Sequence, residues 1–79
     1  MSTHALELVA AKINEVLAEN GHEPCEICSS TNILHETPLD SLGLAIVVLR
    51  LEEATGKDPF IEGFKNFHTA GELAALYAS

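Results

Sequence analysis

A serine placed directly after an aspartate is the first feature of this chain with a clear chemical use. Residues 39–43 read Leu-Asp-Ser-Leu-Gly, and the apolar stretch that follows closes on Leu-Glu-Glu at residues 51–53. Aspartate is a preferred N-cap residue, so Asp40 predicts a helix that begins at Ser41. The amino end of a helix carries a partial positive charge and stabilises a phosphate. Ser41 is therefore a candidate site for attachment of a phosphorylated group.

Two other interpretations of Ser41 compete with this one. A hydrolytic serine needs a base within hydrogen-bond reach, and its turn usually reads Gly-x-Ser-x-Gly. Here Leu39 occupies the place of the first glycine, and His35 or His68 would have to be brought to the serine in a very small domain. The sequence therefore predicts a protein that is not an enzyme. The other alternative is that Asp40 and Ser41 only begin a helix.

A second group of reactive side chains lies upstream of the serine. His22, Cys25, Cys28 and His35 offer four nitrogen and sulfur ligands of the kind that zinc favours. Natural zinc sites more often use two separated pairs, whereas here one Cys-x-x-Cys has a histidine on each side. A redox pair of thioredoxin type would sit where a strand meets a helix, and no strand is expected. The sequence favours free, partly buried thiols and no metal.

Composition limits the partners of the chain. The 79 residues are expected to form one domain, residues 1–79, with 4 lysines and arginines against 12 aspartates and glutamates, a net charge of -8. Nucleic acids and anionic membranes are bound chiefly by clustered positive charge, so neither is expected as a partner. Aromatic residues are only 5% of the chain and tryptophan is absent, which removes stacking platforms for bases. Basic protein partners are favoured.

No segment resembles a targeting signal or a membrane anchor. The first residues lack a basic region followed by an apolar run, and the apolar stretch of residues 42–51 is about half the length needed to span a bilayer. We therefore expect a cytoplasmic protein without stable membrane insertion. In a reducing compartment its cysteines remain thiols.

The elements that must position these residues are predicted to be helices. Apolar residues recur at helical spacing from Thr3 to Glu19, and Asn20-Gly21 supplies a stop. Residues 22–39 show no sustained period and predict a long ordered loop with at most one turn. A second helix runs from the Asp40 cap to about Thr55.

Two further helices complete the predicted fold. Asp58-Pro59 favours a short helix from Phe60 to about Asn66, interrupted by Gly63. Residues 69–72, Thr-Ala-Gly-Glu, form a capping box that begins a last helix running to the carboxyl end. The sequence thus predicts an all-α domain of three longer helices and one short helix, with a long loop between the first two.

The segment from residue 39 to residue 60 resembles the acyl carrier protein family. The shared features are Asp40-Ser41-Leu42, Leu-Glu-Glu ten residues after the serine, Gly56, and Asp-Pro-Phe at residues 58–60. The resemblance implies a four-helix bundle of acyl-carrier type in which Ser41 receives 4′-phosphopantetheine from a phosphopantetheinyl transferase. Acyl groups are then held as thioesters and delivered to acyl-loading, acyl-modifying and acyltransferase enzymes. The length of the chain suggests a free-standing, monomeric carrier.

The resemblance also implies roles for residues around the second helix. The helix is apolar in eight of the ten residues 42–51, so it either is buried on several sides or presents an apolar face to partners. The candidates for partner recognition are Asp40, Leu42, Ala45, Ile46, Leu49, Glu52 and Glu53. The candidates for an acyl cleft are Gly43, Val47, Leu51 and Phe60, for which simple core packing is the alternative.

One departure from the family pattern bears on the pathway. Many carriers of fatty-acid synthesis have acidic residues just after the modified serine, whereas residues 43–46 here read Gly-Leu-Ala-Ile. Recognition should therefore be more hydrophobic than usual, which favours a specialised lipid, polyketide or cell-envelope pathway over the housekeeping fatty-acid pathway. Two other interpretations stay open: an unmodified acidic helical adaptor that docks its apolar second helix on a partner, and a domain whose loop is stabilised by a metal.

Overall fold

The computed structural model describes residues 3–61, 63 and 66–77, and this part of the chain is mainly helical. Its helices are α1 (Thr3–Glu19), α2 (Ile33–Glu36), α3 (Ser41–Thr55) and α4 (Ala70–Tyr77). Within the same residues no strand forms, and a single antiparallel bridge pairs Asn32 with Thr69. None of the described helices has both the length and the apolar character needed to cross a membrane.

Helix α1 has the bounds predicted from its amphipathic spacing. Four of its side chains, at successive spacings of four, three and one residues, are fully buried: Val9, Ile13, Val16 and Leu17. The helix ends because Gly21 adopts a left-handed conformation with φ of 84°. The His22 amide then donates to the Leu17 carbonyl over 2.8 Å, which satisfies one of the exposed carbonyls at the helix end.

Helix α3 also begins and ends at the predicted residues. The Asp40 side chain accepts a 2.7 Å hydrogen bond from the Gly43 amide, which is the geometry of an N-cap. At the other end Gly56 is left-handed, with φ of 71°, and its amide donates to the Glu52 carbonyl over 2.8 Å. Both ends are thus closed by residues that the sequence identifies.

Helix α4 begins with the predicted capping box. The Glu72 amide donates to Thr69 Oγ1 over 3.0 Å, and Glu72 Oε1 accepts from the Thr69 amide over 3.1 Å. The same carboxylate oxygen accepts from the His68 amide over 2.7 Å. These bonds to backbone amides lower the pKa of Glu72. The box therefore fixes the backbone that leads into α4, and His68 with it.

The core forms where α1 packs against both α3 and α4. The side chains of Val47 and Leu51 from α3 and of Leu73 from α4 are fully buried against it. On the surface, the two guanidinium nitrogens of Arg50 donate to the two carboxylate oxygens of Glu19 over 2.7 and 2.8 Å. This paired contact joins α3 to α1 outside the core and raises the pKa of Arg50.

The short helix lies elsewhere than predicted. The only turn of helix described between α1 and α3 is α2, in the middle of the long loop, whereas residues 59–61 form a turn. Asp58 Oδ1 accepts from the Phe60 amide over 3.1 Å, and the Gly63 amide donates to the Phe60 carbonyl over 3.0 Å. These local bonds compete with a helix, so the prediction of a helix is wrong for residues 60, 61, 63 and 66. Residues 62, 64 and 65 of that predicted helix lie outside the described residues.

Candidate functional site

Ser41 is the first residue of α3 and is exposed. The Asp40 side chain takes up the amide of Gly43, and the Asp40 carbonyl accepts from the amide of Leu44 over 2.9 Å. The amides of Ser41 and Leu42 have no acceptor within the described part of the chain. Two unused backbone donors therefore lie at the positive end of a helix beside an accessible hydroxyl. This arrangement suits a phosphate ester on Ser41.

A cavity of about 550 Å³ opens beside the serine. Its wall is formed by the outer face of α3, by α2 and by the segment that precedes α4, and most of its lining is apolar. The lining residues are Leu34, Ser41, Leu44, Ala45, Val48, Phe60, Asn66, Phe67 and His68. The Phe60 and Phe67 rings lie 6.0 Å apart between centroids, tilted by 45°. Ser41 therefore lies on the wall of a mainly apolar cavity that is large enough to take up part of an apolar ligand.

A second recess of about 240 Å³ adjoins this cavity. Both are lined by Leu34, Leu44, Phe67 and His68. The recess adds Asn32, Ile33 and His35 from the region of α2, and Ser41 does not line it. It is therefore the part of this combined space that lies away from the serine.

A third recess of about 220 Å³ lies on the other side of the α3 amino end, against Asp40 and Gly43. Polar residues of the loop after α1, Asn20 and His22, form part of its wall together with Leu42. The two faces of the α3 amino end thus differ in character: the side with Ser41 is bordered by an apolar cavity and the side with Asp40 by a more polar one.

The predicted cleft residues occupy two different places. Phe60 lines the large cavity, whereas Val47 and Leu51 are fully buried in the core and Gly43 is buried beneath Leu39. Residues 43, 47 and 51 share one face of α3, and residues 41, 44, 45 and 48 share the neighbouring face that lines the cavity. Sequence reasoning missed Leu44 and Val48 because α3 is apolar on both faces. The serine itself marks the cavity face and is the signal that could have identified them.

The predicted partner surface on α3 is accessible over most of its length. Leu42 and Leu49 are 70% and 53% exposed, and Ala45, which lies between them on α3, is exposed as well. Ile46 and Glu52 are partly exposed, and Asp40 and Glu53 are exposed at the two ends. The nearby Asp58 carboxylate raises the pKa of Glu52, first through a side-chain hydrogen bond and then through charge repulsion.

The residues considered as zinc ligands make other contacts. The Cys25 amide donates to Asn14 Oδ1 over 2.7 Å, and the Cys28 sulfur lies 3.4 Å from Ser30 Oγ and 3.3 Å from Thr31 Oγ1. These hydroxyls lower the pKa of the Cys28 thiol. Both cysteines are thiols. Across the described residues, no three side chains of His, Cys, Asp or Glu are grouped so that they could hold a metal ion.

The geometry around Ser41 offers no base in contact with it. His68 lines the same cavity, but no hydrogen bond joins Ser41 to His35 or His68 among the described residues. Glu72 binds the His68 backbone amide, and no described hydrogen bond orients its ring. The three-member arrangement that activates a serine is therefore not assembled here. Comparison of the chain with models of protein families, with curated proteins and with solved structures gave no match.

Proposed function

We propose that this protein is an acyl carrier protein, modified at Ser41 with 4′-phosphopantetheine, and that it shuttles acyl groups rather than acting as an enzyme. The observation that carries the proposal is the position of Ser41: exposed, first in a capped helix, beside two unused amide donors and on the wall of a 550 Å³ apolar cavity. When bound, the prosthetic group supplies a thiol on which acyl groups are carried as thioesters.

The chain's own residues have two tasks in this proposal. The amino end of α3 stabilises the negative charge of a phosphodiester on Ser41, because its amides and its dipole face that charge. The cavity face of α3, through Leu44, Ala45 and Val48, shields an apolar acyl chain from water. Burial of apolar groups contributes about 0.8 kcal/mol per methylene, so a chain of several carbons gains appreciable shielding.

The partners in this proposal are a phosphopantetheinyl transferase and separate acyl-loading, acyl-modifying and acyltransferase enzymes. The docking surface is the exposed face of α3, where Leu42 and Leu49 supply apolar contact and Glu53 supplies charge. We further propose that the carrier works as a monomer in the cytoplasm, in a specialised lipid, polyketide or cell-envelope pathway. Tethering raises the concentration of a substrate at each partner without new contacts, which is the advantage of a carrier.

Intact mass spectrometry after incubation with a phosphopantetheinyl transferase and coenzyme A tests the proposal. The unmodified sequence should gain one phosphopantetheinyl group, and Ser41→Ala should gain none. Ser30→Ala is the matched control because Ser30 is also exposed but lies in the loop, and it should be modified like the parent. No mass gain on a correctly folded parent protein contradicts the carrier function.

A second candidate function is an unmodified acidic adaptor that docks α3 on a partner protein. The exposure of Leu42 and Leu49 on one helix favours it, since exposed apolar patches often mark interaction sites. The two functions differ in what Ser41 contributes. An adaptor would bind its partner equally well as the parent protein and as Ser41→Ala, and it would gain no mass in the transferase experiment.

A further inference from the structure

The polar recess against Asp40 has no task in the attachment of a group at Ser41, because Ser41 does not line it. Its volume is about 220 Å³. Cavities for cofactor-sized or drug-sized ligands are typically roughly 300–1,000 Å³. The recess is therefore small for such a ligand and suits a single long side chain. Asn20, His22 and Asp40 form its polar wall, and Leu42 and Ile46 form part of its apolar wall.

The polar side chains of this recess have unused capacity for hydrogen bonds. Asp40 Oδ1 accepts from the Gly43 amide, and the second carboxylate oxygen has no partner within the described residues. The backbone amides of Asn20 and His22 donate to the Leu17 carbonyl over 3.1 and 2.8 Å, which holds both residues in place. Neither of these two side chains makes a hydrogen bond to the described part of the chain. A carboxylate oxygen, an amide oxygen and an imidazole nitrogen can thus accept hydrogen bonds from one ligand.

The charge at this recess favours a cation. Asp40 supplies a full negative charge, and no ion pair within the described residues includes it. The described basic side chains are engaged elsewhere: Lys12 and Arg50 pair with glutamates of α1, and Lys57 donates to the Tyr77 carbonyl over 3.3 Å. The amino end of α3 carries about half a positive charge, which is smaller than the charge of the carboxylate.

We propose, on the basis of the docking role of α3 in the proposed function, that this recess receives an arginine side chain of a partner protein. A guanidinium group presents five N–H donors in one plane and no acceptor, which matches a wall of acceptors. Lysine concentrates its charge on a compact, strongly hydrated ammonium group and fits less well. Leu42 and Ile46 extend from the recess to the exposed face of α3, so the stem of the arginine and its apolar neighbours have a surface to pack on.

The test uses three capped tripeptides with arginine, lysine or citrulline between two leucines. Citrulline has nearly the shape of arginine without its charge. Each peptide is titrated into the whole unmodified chain, and the backbone amide shifts in NMR spectra report both affinity and location. We expect the arginine peptide to bind about 3- to 10-fold more tightly than the other two, the effect of a charge-assisted hydrogen bond, with shifts at His22 and Ile46. Equal affinities, or shifts confined to Phe67 and His68 of the serine cavity, would overturn the inference.

Substitutions assign the preference to the recess. Asp40→Asn should remove the preference for arginine over citrulline and keep the helix cap, because asparagine caps a helix as well as aspartate does. Glu53→Gln is the matched control: it removes the same charge from an exposed residue at the other end of α3 and should retain the preference. Asn20→Ala should weaken binding of the arginine peptide about 2- to 3-fold. It decides the matter if circular dichroism shows that Asp40→Asn does not fold, whereas a preference that survives in folded Asp40→Asn would overturn the inference.

Loading of Ser41, measured by intact mass on the same chain, separates this inference from the carrier function. A chain that is loaded at Ser41 but binds the three peptides equally would overturn the arginine recess and leave the carrier function standing. A chain that prefers the arginine peptide but is never loaded would contradict the carrier function and assign the recess to an adaptor.

Discussion

Tyr77 lies in an environment that does not satisfy the hydrogen-bonding needs of its side chain. It is only 5% exposed, and its hydroxyl group is buried with no hydrogen-bond partner within the described residues. Burial raises the pKa of Tyr77 to about 12, and the carboxylates of Asp58 and Glu52 add to the shift. A buried polar group without a partner costs about 1–3 kcal/mol, so this hydroxyl group destabilises the fold.

Replacement of this side chain by Tyr77→Phe should therefore raise the free energy of unfolding by about 1 kcal/mol near pH 8. The pKa of Tyr77 in the folded protein lies above the unfolded value of about 10. The part of the free energy of unfolding that depends on the protonated side chain is therefore intact below pH 10 and is lost as the pH rises towards 12. With allowance for solvent screening, the loss is about 1–2 kcal/mol. Urea unfolding of both proteins at pH 8, 10 and 11 measures it.

The ultraviolet titration of the tyrosine provides an independent check, because the chain has one tyrosine and no tryptophan. Its midpoint should lie near 12 in the folded protein and near 10 in urea. Equal midpoints in the two states, or a Phe variant less stable than the parent at pH 8, would show that the hydroxyl group has a partner after all.

At the scale of the elements, α4 is held against the loop by a backbone contact at Gly71. The Gly71 amide donates to the Ser29 carbonyl over 2.9 Å, and a Cβ atom at position 71 would lie 2.8 Å from that same oxygen. A backbone oxygen cannot move aside as a side-chain end can. Glycine here allows the loop between α1 and α3 to approach the first turn of α4.

Gly71→Ala should accordingly destabilise the fold, although alanine is the better helix former by about 1 kcal/mol. Overpacking costs about 1–3 kcal/mol, so we expect a net loss of roughly 1–2 kcal/mol in the free energy of urea unfolding. Gly43→Ala is the control: its new Cβ would meet Leu39 Cδ1 at 2.7 Å, the end of a flexible side chain. Gly43→Ala should therefore lower the free energy of unfolding by less than Gly71→Ala does. Equal losses in the two variants would argue against a backbone clash at position 71.

The same elements show what could be predicted from the sequence. Helices α1, α3 and α4 were predictable because their signals are local: apolar spacing, the Asp40 cap, Gly56, and the box of Thr69 with Glu72. One turn was allowed within residues 22–39, but its position at α2 was not predictable, because it depends on distant contacts such as the hydrogen bond from the Ile33 amide to the His68 carbonyl. The short helix expected after Asp58 gives way to local turns for which the sequence is equally suited.

The candidate site likewise has features that the sequence predicts and features that it does not. Ser41, its cap and its exposure follow from residues next to one another, so the sequence predicts them. The cavity does not follow, because its wall joins α3 to Leu34 and Phe67 from two distant segments. On an apolar helix the hydrophobic pattern cannot tell which face meets the core and which meets a cavity.

At the scale of the whole molecule, net charge opposes compactness. A net charge of -8 is confined within a radius of gyration of 11.4 Å, so repulsion among carboxylates is spread over the surface. This repulsion is evident near the carboxyl end of α3, where the Asp58 carboxylate raises the pKa of Glu52. Contacts such as Arg50 with Glu19 act in the opposite sense, but the chain has only 4 basic side chains of lysine or arginine to make them.

Salt should therefore stabilise this protein. We expect the melting temperature at pH 7 to rise by roughly 5 °C between low and 0.5 M sodium chloride, since screening weakens the dominant repulsion. Asp58→Asn should raise the melting temperature at low salt and reduce the benefit of added salt. Glu23→Gln makes the same change in charge in an exposed loop and should do less. The pKa of Glu52 is raised, so the stability that depends on its protonated carboxyl group is intact below pH 4.5, the ordinary pKa, and is lost as the pH rises through the folded pKa. The gain in stability from Asp58→Asn should therefore grow over that pH range. A melting temperature that falls with salt would mean that ion pairs such as Arg50 with Glu19 outweigh the repulsion.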